Sequence, residues 1–291
     1  MTSRTPIFPT RKASAVALLA LPLVLAGCST GAPAADPSPA ATGGHVHGIS
    51  VDPMSTRILL ATHDGLFDAT SKAPVKISDT IDLMGFTPTG DPTVFYASGH
   101  PGPGSTLPNP AGLIRSTDSG KTWAPVSRQG QSDFHALTST NTGLVAYDGT
   151  LLTSPDGTTW TPATAAFTPA VLAGSPTTTV VLATTQNGLQ RSTDGGKTWQ
   201  SNSAAPLMQF AAFAASADKA AIVAAGVAPD GTVYVSTDAG VGWVQTGRIS
   251  GQVNAITAME GTPGKPWIWA STTTGVQVST DGGATFRPAT P

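Results

Sequence analysis

Ser192-Thr193-Asp194-Gly195-Gly196-Lys197-Thr198-Trp199 is the phrase that decides the fold, because the chain keeps returning to it. Ser116-Thr117-Asp118-Ser119-Gly120-Lys121-Thr122-Trp123 is nearly identical, and Ser279-Thr280-Asp281-Gly282-Gly283-Ala284-Thr285-Phe286 is a third copy. Two looser copies stand between them. Ser154-Pro155-Asp156-Gly157-Thr158-Thr159-Trp160 is one residue shorter, and Ser236-Thr237-Asp238-Ala239-Gly240-Val241-Gly242-Trp243 has lost the Lys-Thr pair. Their aromatic ends follow one another at intervals of roughly forty residues, the mark of a repeat architecture in which stacked units bury a shared core.

Each phrase reads as turn chemistry. An Asp carboxylate accepts hydrogen bonds from backbone N–H groups about two residues on. Glycine supplies the positive φ that residues with a β-carbon resist. The Thr-Trp that follows is expected to open the next strand and bury its ring. Strand-like runs such as Gly188-Leu189-Gln190-Arg191 and Thr232-Val233-Tyr234-Val235 come just before. The phrase is therefore a hairpin, and Asp118, Asp156, Asp194, Asp238 and Asp281 are folding devices rather than catalysts.

Worked outward from the hairpins, the sequence divides into six units, at about 45–79, 80–128, 132–165, 166–203, 205–247 and 251–291. The first lacks the Asp phrase but keeps Gly65-Leu66-Phe67. Each has a small-residue first strand (His135-Ala136-Leu137, Asn254-Ala255-Ile256) and a more apolar second one (Val180-Val181-Leu182-Ala183, Ile222-Val223-Ala224). The hairpin supplies strands three and four. Four antiparallel strands repeated about an axis make an all-β fold, a β-propeller of six blades, with seven as the alternative count.

Composition agrees. The 291 residues are 40% hydrophobic and only 11% charged, with 32 Gly and 25 Pro, as many short strands joined by turns require. All but one of the 17 acidic residues are Asp, the exception being Glu260. The formal charge is −2, with no concentrated basic face, so nucleic acid is not an expected partner. No phosphate loop or cysteine-metal spacing is present, and no nucleotide or organic cofactor is expected.

Residues 1–27 read as an export signal, with Arg4, Arg11 and Lys12 ahead of an apolar run over 15–26 that is short for a membrane span. That run ends in Leu25-Ala26-Gly27-Cys28, and Cys28 is the only cysteine. The motif resembles a bacterial lipobox, which implies cleavage before Cys28 and lipid on its sulfur. The expected location is the outer face of the cell membrane, anchored through Cys28. Residues 28–44, rich in Pro, Ala, Ser and Gly, read as a flexible tether to a monomeric propeller over 45–291.

The S-x-D-x-G-x-T-W phrase resembles the Asp-box, or BNR repeat, of sialidases, sortilin-type receptors and photosystem II assembly propellers. The set His45-Val46-His47-Gly48, Thr62-His63-Asp64-Gly65, Ser98-Gly99-His100-Pro101 and Asp133-Phe134-His135-Ala136 is similar to bacterial secreted BNR proteins of the glycosyl-hydrolase-like or exo-sialidase-like group. The resemblance implies the propeller fold; it does not carry the activity over.

All five histidines, His45, His47, His63, His100 and His135, fall in the first three units. His45, His47 and His135 begin first strands, whereas His63 and His100 end second strands. Both kinds of position face one rim in a blade, and the Asp hairpins face the other. Converging imidazoles are ligands for copper or zinc. Aligning the units places Met84 where the first has His47 and the third His135, a soft donor that favours copper. Asp64 and Asp133 are the expected carboxylate partners of the imidazoles.

The expected function is therefore a binding protein with a histidine-rich transition-metal site. A glycoside hydrolase is the alternative, with Asp64 and Asp133 (or Asp148) as weak catalytic candidates. A scaffold for envelope protein partners is the third reading. Sialidase chemistry proper asks for an arginine triad and a Tyr–Glu pair. Arg115 and Arg191 lie in hairpins, and Glu260 is expected after an inner strand, on the Asp-box side. The proline-rich loop over 98–111 is expected to fold over the rim, with Gln186 and Asn187 completing it. Trp267 and Trp269 alternate on one strand and are expected to pack within a blade.

Overall fold

The computed structural model describes residues 45–216 and 222–290, so the expected export signal, Cys28 and the expected tether lie outside the described residues. The described chain forms strands and turns without a helix. Among the described residues no helix is long and apolar enough to cross a membrane. Six four-stranded meanders follow one another. They are β1 (Val46–Val51) to β2 (Ile58–Thr62), β3 (Gly65–Asp68) and β4 (Val75–Lys76); then β5 (Ile81–Pro88), β6 (Phe95–Pro101), β7 (Leu113–Ser116) and β8 (Ala124–Ser127). The third is β9 (Ala136–Thr140), β10 (Gly143–Tyr147), β11 (Leu151–Ser154) and β12 (Thr161–Pro162); the fourth β13 (Val171–Ala173), β14 (Val181–Thr185), β15 (Gly188–Ser192) and β16 (Gln200–Asn202). The fifth is β17 (Phe210–Ala215), β18 (Ala224–Val227), β19 (Thr232–Ser236) and β20 (Val244–Arg248); the sixth β21 (Val253–Thr262), β22 (Lys265–Thr272), β23 (Gly275–Ser279) and β24 (Arg287–Pro288).

Within each meander the strands pair antiparallel in chain order. Segments of all six first strands, or their leading residues, line a central channel, and neighbouring first strands touch around the ring until β21 meets β1. The channel wall is narrow because its residues are small: Ala136, Ala173, Ala211, Ala212 and Ala258 are among them. Between β17 and β21 the backbones pair directly, in parallel register at Ala214–Ala258 and Ala215–Met259, so the last two meanders share one eight-stranded sheet. The ring closes differently. Val46, Ile49, Val51 and Ile58 of the first meander share an apolar cluster with Ala255, Met259, Trp269 and Val278 of the sixth. Side chains make that seam, and no strand is exchanged across it.

The Asp hairpins form as expected, with one difference in geometry. Asp118 Oδ1 accepts from the N–H groups of Lys121 and Thr122, both at 3.0 Å, three and four residues on rather than two. Its Oδ2 accepts from the Thr122 hydroxyl at 2.6 Å. Ser116 completes the knot: its hydroxyl donates to Asp118 Oδ1 and accepts from Gly120 N–H, each at 2.8 Å. Asp194 and Asp281 repeat the pattern. In the shorter copy, Asp156 Oδ1 takes the N–H groups of Thr158 and Thr159 at 2.7 Å.

The turn is also a joint between blades. A β-carbon on Gly120 (φ +84) would lie 2.1 Å from Leu66 Cδ2 of the preceding meander, and one on Gly196 (φ +85) would lie 2.7 Å from Val145 Cγ2. Glycine is needed there for space as well as for torsion.

Four expectations are corrected. The hairpin tryptophans sit just before strand four and are half-buried; Trp123 precedes β8 and Trp199 precedes β16. Ile222 is exposed and Val223 precedes β18, which starts at Ala224. Glu260 lies inside the long β21, where a carboxylate oxygen accepts from the Ser216 hydroxyl at 3.1 Å. Trp267 and Trp269 do share a side, with ring centroids 6.1 Å apart, but only Trp269 is buried.

Candidate metal centre

Strand direction brings the five imidazoles to one end of the ring. His45 and His47 are at the start of β1, His63 follows the end of β2, His100 is near the end of β6, and His135 directly precedes β9. Antiparallel pairing puts all of these at the end opposite the hairpins that close β3, β7 and their equivalents. A second device turns side chains into the mouth. Val46 pairs Thr62 and Gly48 pairs Ala61, so His47 is the extra residue of a β-bulge. Met84 is the extra residue between Leu83 and Gly85, and Asn254 the one between Val253 and Ala255. A bulge re-aims its extra side chain away from plain alternation. His47 and Met84 accordingly line, together with His135 from just before β9, a channel of about 180 Å³, which continues between the first strands of all six meanders.

The donors fall into two groups. In the first, His47 Nε2 lies 3.2 Å from His63 Nε2, and His63 Nδ1 lies 2.8 Å from Asp82 Oδ1. His45 meets this group edge to face, its ring centroid 5.0 Å from that of His47. One ligand atom from each of His47, His63 and Asp82 lies within 4.8 Å of the others. In the second group, Asp133 Oδ2 meets His135 Nε2 at 2.5 Å and His100 Nε2 at 3.1 Å. His100 Nδ1 donates to Asn109 Oδ1 at 2.8 Å. That bond is what the proline-rich loop contributes: it brings Asn109 back over the rim onto His100.

Asp82 joins the two groups, since it stands directly opposite His100 in the β5–β6 register.

The electrostatics differ between them. Burial, then the neighbouring His63 and His45, lowers the His47 pKa to about 4 against the weaker pull of Asp82, so at neutral pH its nitrogen lone pair is free for a ligand. His100 is shifted upward, by the Asn109 hydrogen bond first and by the Asp133 and Asp82 carboxylates against its desolvation.

Two expected assignments change. The carboxylate beside His63 is Asp82, not Asp64; among the described residues the Asp64 carboxylate bonds no imidazole, and its backbone N–H is tied to Thr62 Oγ1 at 3.1 Å. Asp148 accepts from Arg128 at 3.2 Å and from Ser132 at 2.5 Å, which removes it from any carboxylate pair at the rim. Asp133 contacts two imidazoles, those of His100 and His135. Asp82 and Asn109 were not singled out by sequence. The signal for Asp82 was present: the alignment that matches Met84 to His47 and His135 also matches Asp82 to His45 and Asp133.

The repeat chemistry and the ring of meanders define the class, a β-propeller built on BNR/Asp-box repeats. A family model described as the BNR/Asp-box repeat matches residues 190–201. Among solved structures the chain is similar to a GH74 enzyme of Niastella koreensis, with 18% identity and a TM-score of 0.56, covering 84% of this chain and 37% of that one. It is also similar to an ancestral GH74 enzyme, with 14% identity, a TM-score of 0.53, and coverage of 81% and 36%. The extracellular domain of a putative hybrid two-component system from B. thetaiotaomicron shows 12% identity and a TM-score of 0.53, with coverage of 86% and 33%. The chain thus spans about a third of the length of these proteins, and at such identities the likeness is one of fold. No curated protein matches the chain.

Proposed function

We propose that this chain is an exported, lipid-anchored propeller that binds a transition-metal ion at the mouth of its channel through His47, His63 and Asp82. The observation that carries this reading is the approach of three ligand atoms, each from a different strand or loop, to within 4.8 Å of one another. Two imidazoles and a carboxylate form a borderline donor set suited to zinc or copper(II). His47, held neutral by burial, needs no deprotonation before it coordinates. Met84 on the same channel wall is the softer donor that would favour copper(I). Export and anchoring rest on Leu25-Ala26-Gly27-Cys28 and its basic, apolar leader.

The test is titration of the purified full-length chain in detergent with Zn²⁺ and Cu²⁺. One equivalent is expected to bind at His47, His63 and Asp82, and at least a tenfold loss of affinity is expected in the His47→Ala and His63→Ala variants. Unchanged affinity in the double variant overturns the assignment. Mass spectrometry of the N-terminal peptide checks the anchor: a diacylglyceryl adduct on Cys28 is expected, and an unmodified thiol refutes it.

A further inference from the structure

We infer that the mouth holds a second, separate cation site formed by His100, Asp133 and His135, adjacent to the first and sharing no ligand with it. The inference rests on the reading above for its setting, but its observations are its own.

The first observation is a tautomer. His100 Nδ1 faces the Asn109 carbonyl oxygen at 2.8 Å, and an amide oxygen only accepts, so Nδ1 carries the proton. In a neutral ring the remaining nitrogen, Nε2, is then a bare lone pair. It points at Asp133 Oδ2, itself an acceptor, from 3.1 Å. Two acceptors at that distance repel unless a positive charge lies between them, which is either a proton on Nε2, as the upward shift of His100 beside Asp133 favours, or a cation that takes that proton's place. His135 aims its own Nε2 at the same oxygen from 2.5 Å. Two imidazole nitrogens thus flank one carboxylate oxygen, and the His100 ring is held through Nδ1 by an amide in the way ligating histidines are commonly oriented.

The second observation is Asp133 Oδ1, a buried carboxylate oxygen with no hydrogen-bond partner. Burying a carboxylate oxygen without a partner is costly, and a cation on the carboxylate repays that cost.

The third is freedom to adjust. In a tetrahedral site with bonds of about 2.1 Å, donor atoms sit about 3.4 Å apart. The imidazoles must therefore back away from Asp133 Oδ2 by up to about 1 Å and swing toward each other to close on one ion. His100 and His135 side chains are 42% and 61% exposed and swing on their χ angles, whereas Asp133 at 20% is the fixed point. The ligand is a divalent cation of the zinc and copper class, as imidazole and carboxylate donors require.

The experiment counts equivalents of Zn²⁺ on the full-length chain by native mass spectrometry and calorimetry. The wild type is expected to take two equivalents. The pair His47→Ala/His63→Ala is expected to keep one, and so is the pair His100→Ala/His135→Ala, each losing a different affinity class. Asn109→Ala is expected to weaken only the second equivalent, by about 10- to 100-fold. A single equivalent in the wild type that survives His100→Ala/His135→Ala overturns this inference and leaves the first site standing. A single equivalent that survives His47→Ala/His63→Ala but disappears with His100→Ala/His135→Ala upholds this site and removes the first.

A readout on the wild type guards against variants that fail to fold. Long-range ¹⁵N–¹H spectra of the imidazoles are expected to show Zn²⁺ shifting the His100 and His135 Nε2 resonances while His100 Nδ1 keeps its proton. Neither resonance moving at two equivalents overturns the site.

Discussion

Asp194 ties its own turn together. Its carboxylate accepts from two backbone N–H groups and two hydroxyls, all between 2.6 and 3.1 Å. Asp194→Ala leaves those donors to water and is expected to cost about 1–2 kcal/mol, readable as a shifted denaturant midpoint. The same hydrogen bonds, the Thr hydroxyl and N–H first, lower the pKa of Asp118 and of Asp281 to about 2. A carboxyl whose folded pKa is depressed stabilises the fold above its ordinary value of 3.8 and loses that contribution as the pH falls toward 2. Carboxyl ¹³C titration is expected to show the hairpin aspartates protonating last. His47 acts in the same direction at higher pH. Its depressed value means the unfolded chain takes up the proton first, so stability falls as the pH drops from 6.5 toward 4. His100, shifted upward, opposes it. A His47→Asn variant is expected to flatten the slope of stability between pH 6.5 and 4, and an unchanged slope refutes the role.

At the scale of the strand, much of the fold was legible in the sequence and part of the site was not. The forty-residue recurrence fixed the meanders, because the Ser-x-Asp-x-Gly hairpin is a local device whose hydrogen bonds lie within its own few residues. The direction of the chain within a meander placed the five imidazoles on one rim by topology alone. What escaped the reading was any contact that depends on bulge geometry or on a returning loop. Asp82 meets His63 because β5 and β1 belong to neighbouring blades, and Asn109 meets His100 across nine residues of irregular chain. No periodicity reports either contact. Gly99 shows how finely this strand pair is set: at φ +148 it carries no side chain, and a β-carbon there would lie 1.9 Å from the Asp82 carbonyl oxygen. Gly99→Ala is expected to cost about 1–3 kcal/mol and to lower metal affinity by shifting Asp82 relative to His63. Intact affinity alongside lost stability would mean the two donor groups tolerate that displacement.

The molecule as a whole is a ring whose blades are each cut from one continuous stretch of chain. Its closure relies on Trp269, Met259 and Val278 packing on Val46, Ile49 and Ile58. Trp269→Ala removes the largest of these side chains and is expected to cost about 3–5 kcal/mol. Hydrogen exchange is expected to quicken first in β1 and β21, the strands that face each other across the seam. If exchange instead quickens evenly in every blade, the ring unfolds as one unit and the seam is not its weakest line.

The two donor groups straddle boundaries rather than sitting inside blades. His47 and His63 belong to the first meander and Asp82 to the second, whereas His100 belongs to the second and both Asp133 and His135 to the third. Ions seated there would act as rivets, fastening three consecutive sectors beside the seam and leaving the opposite half of the wheel as loose as before. A loaded propeller would then come apart from residue 166 onward before it yielded at its histidine side, making the order of its undoing a gauge of how much metal its surroundings supply.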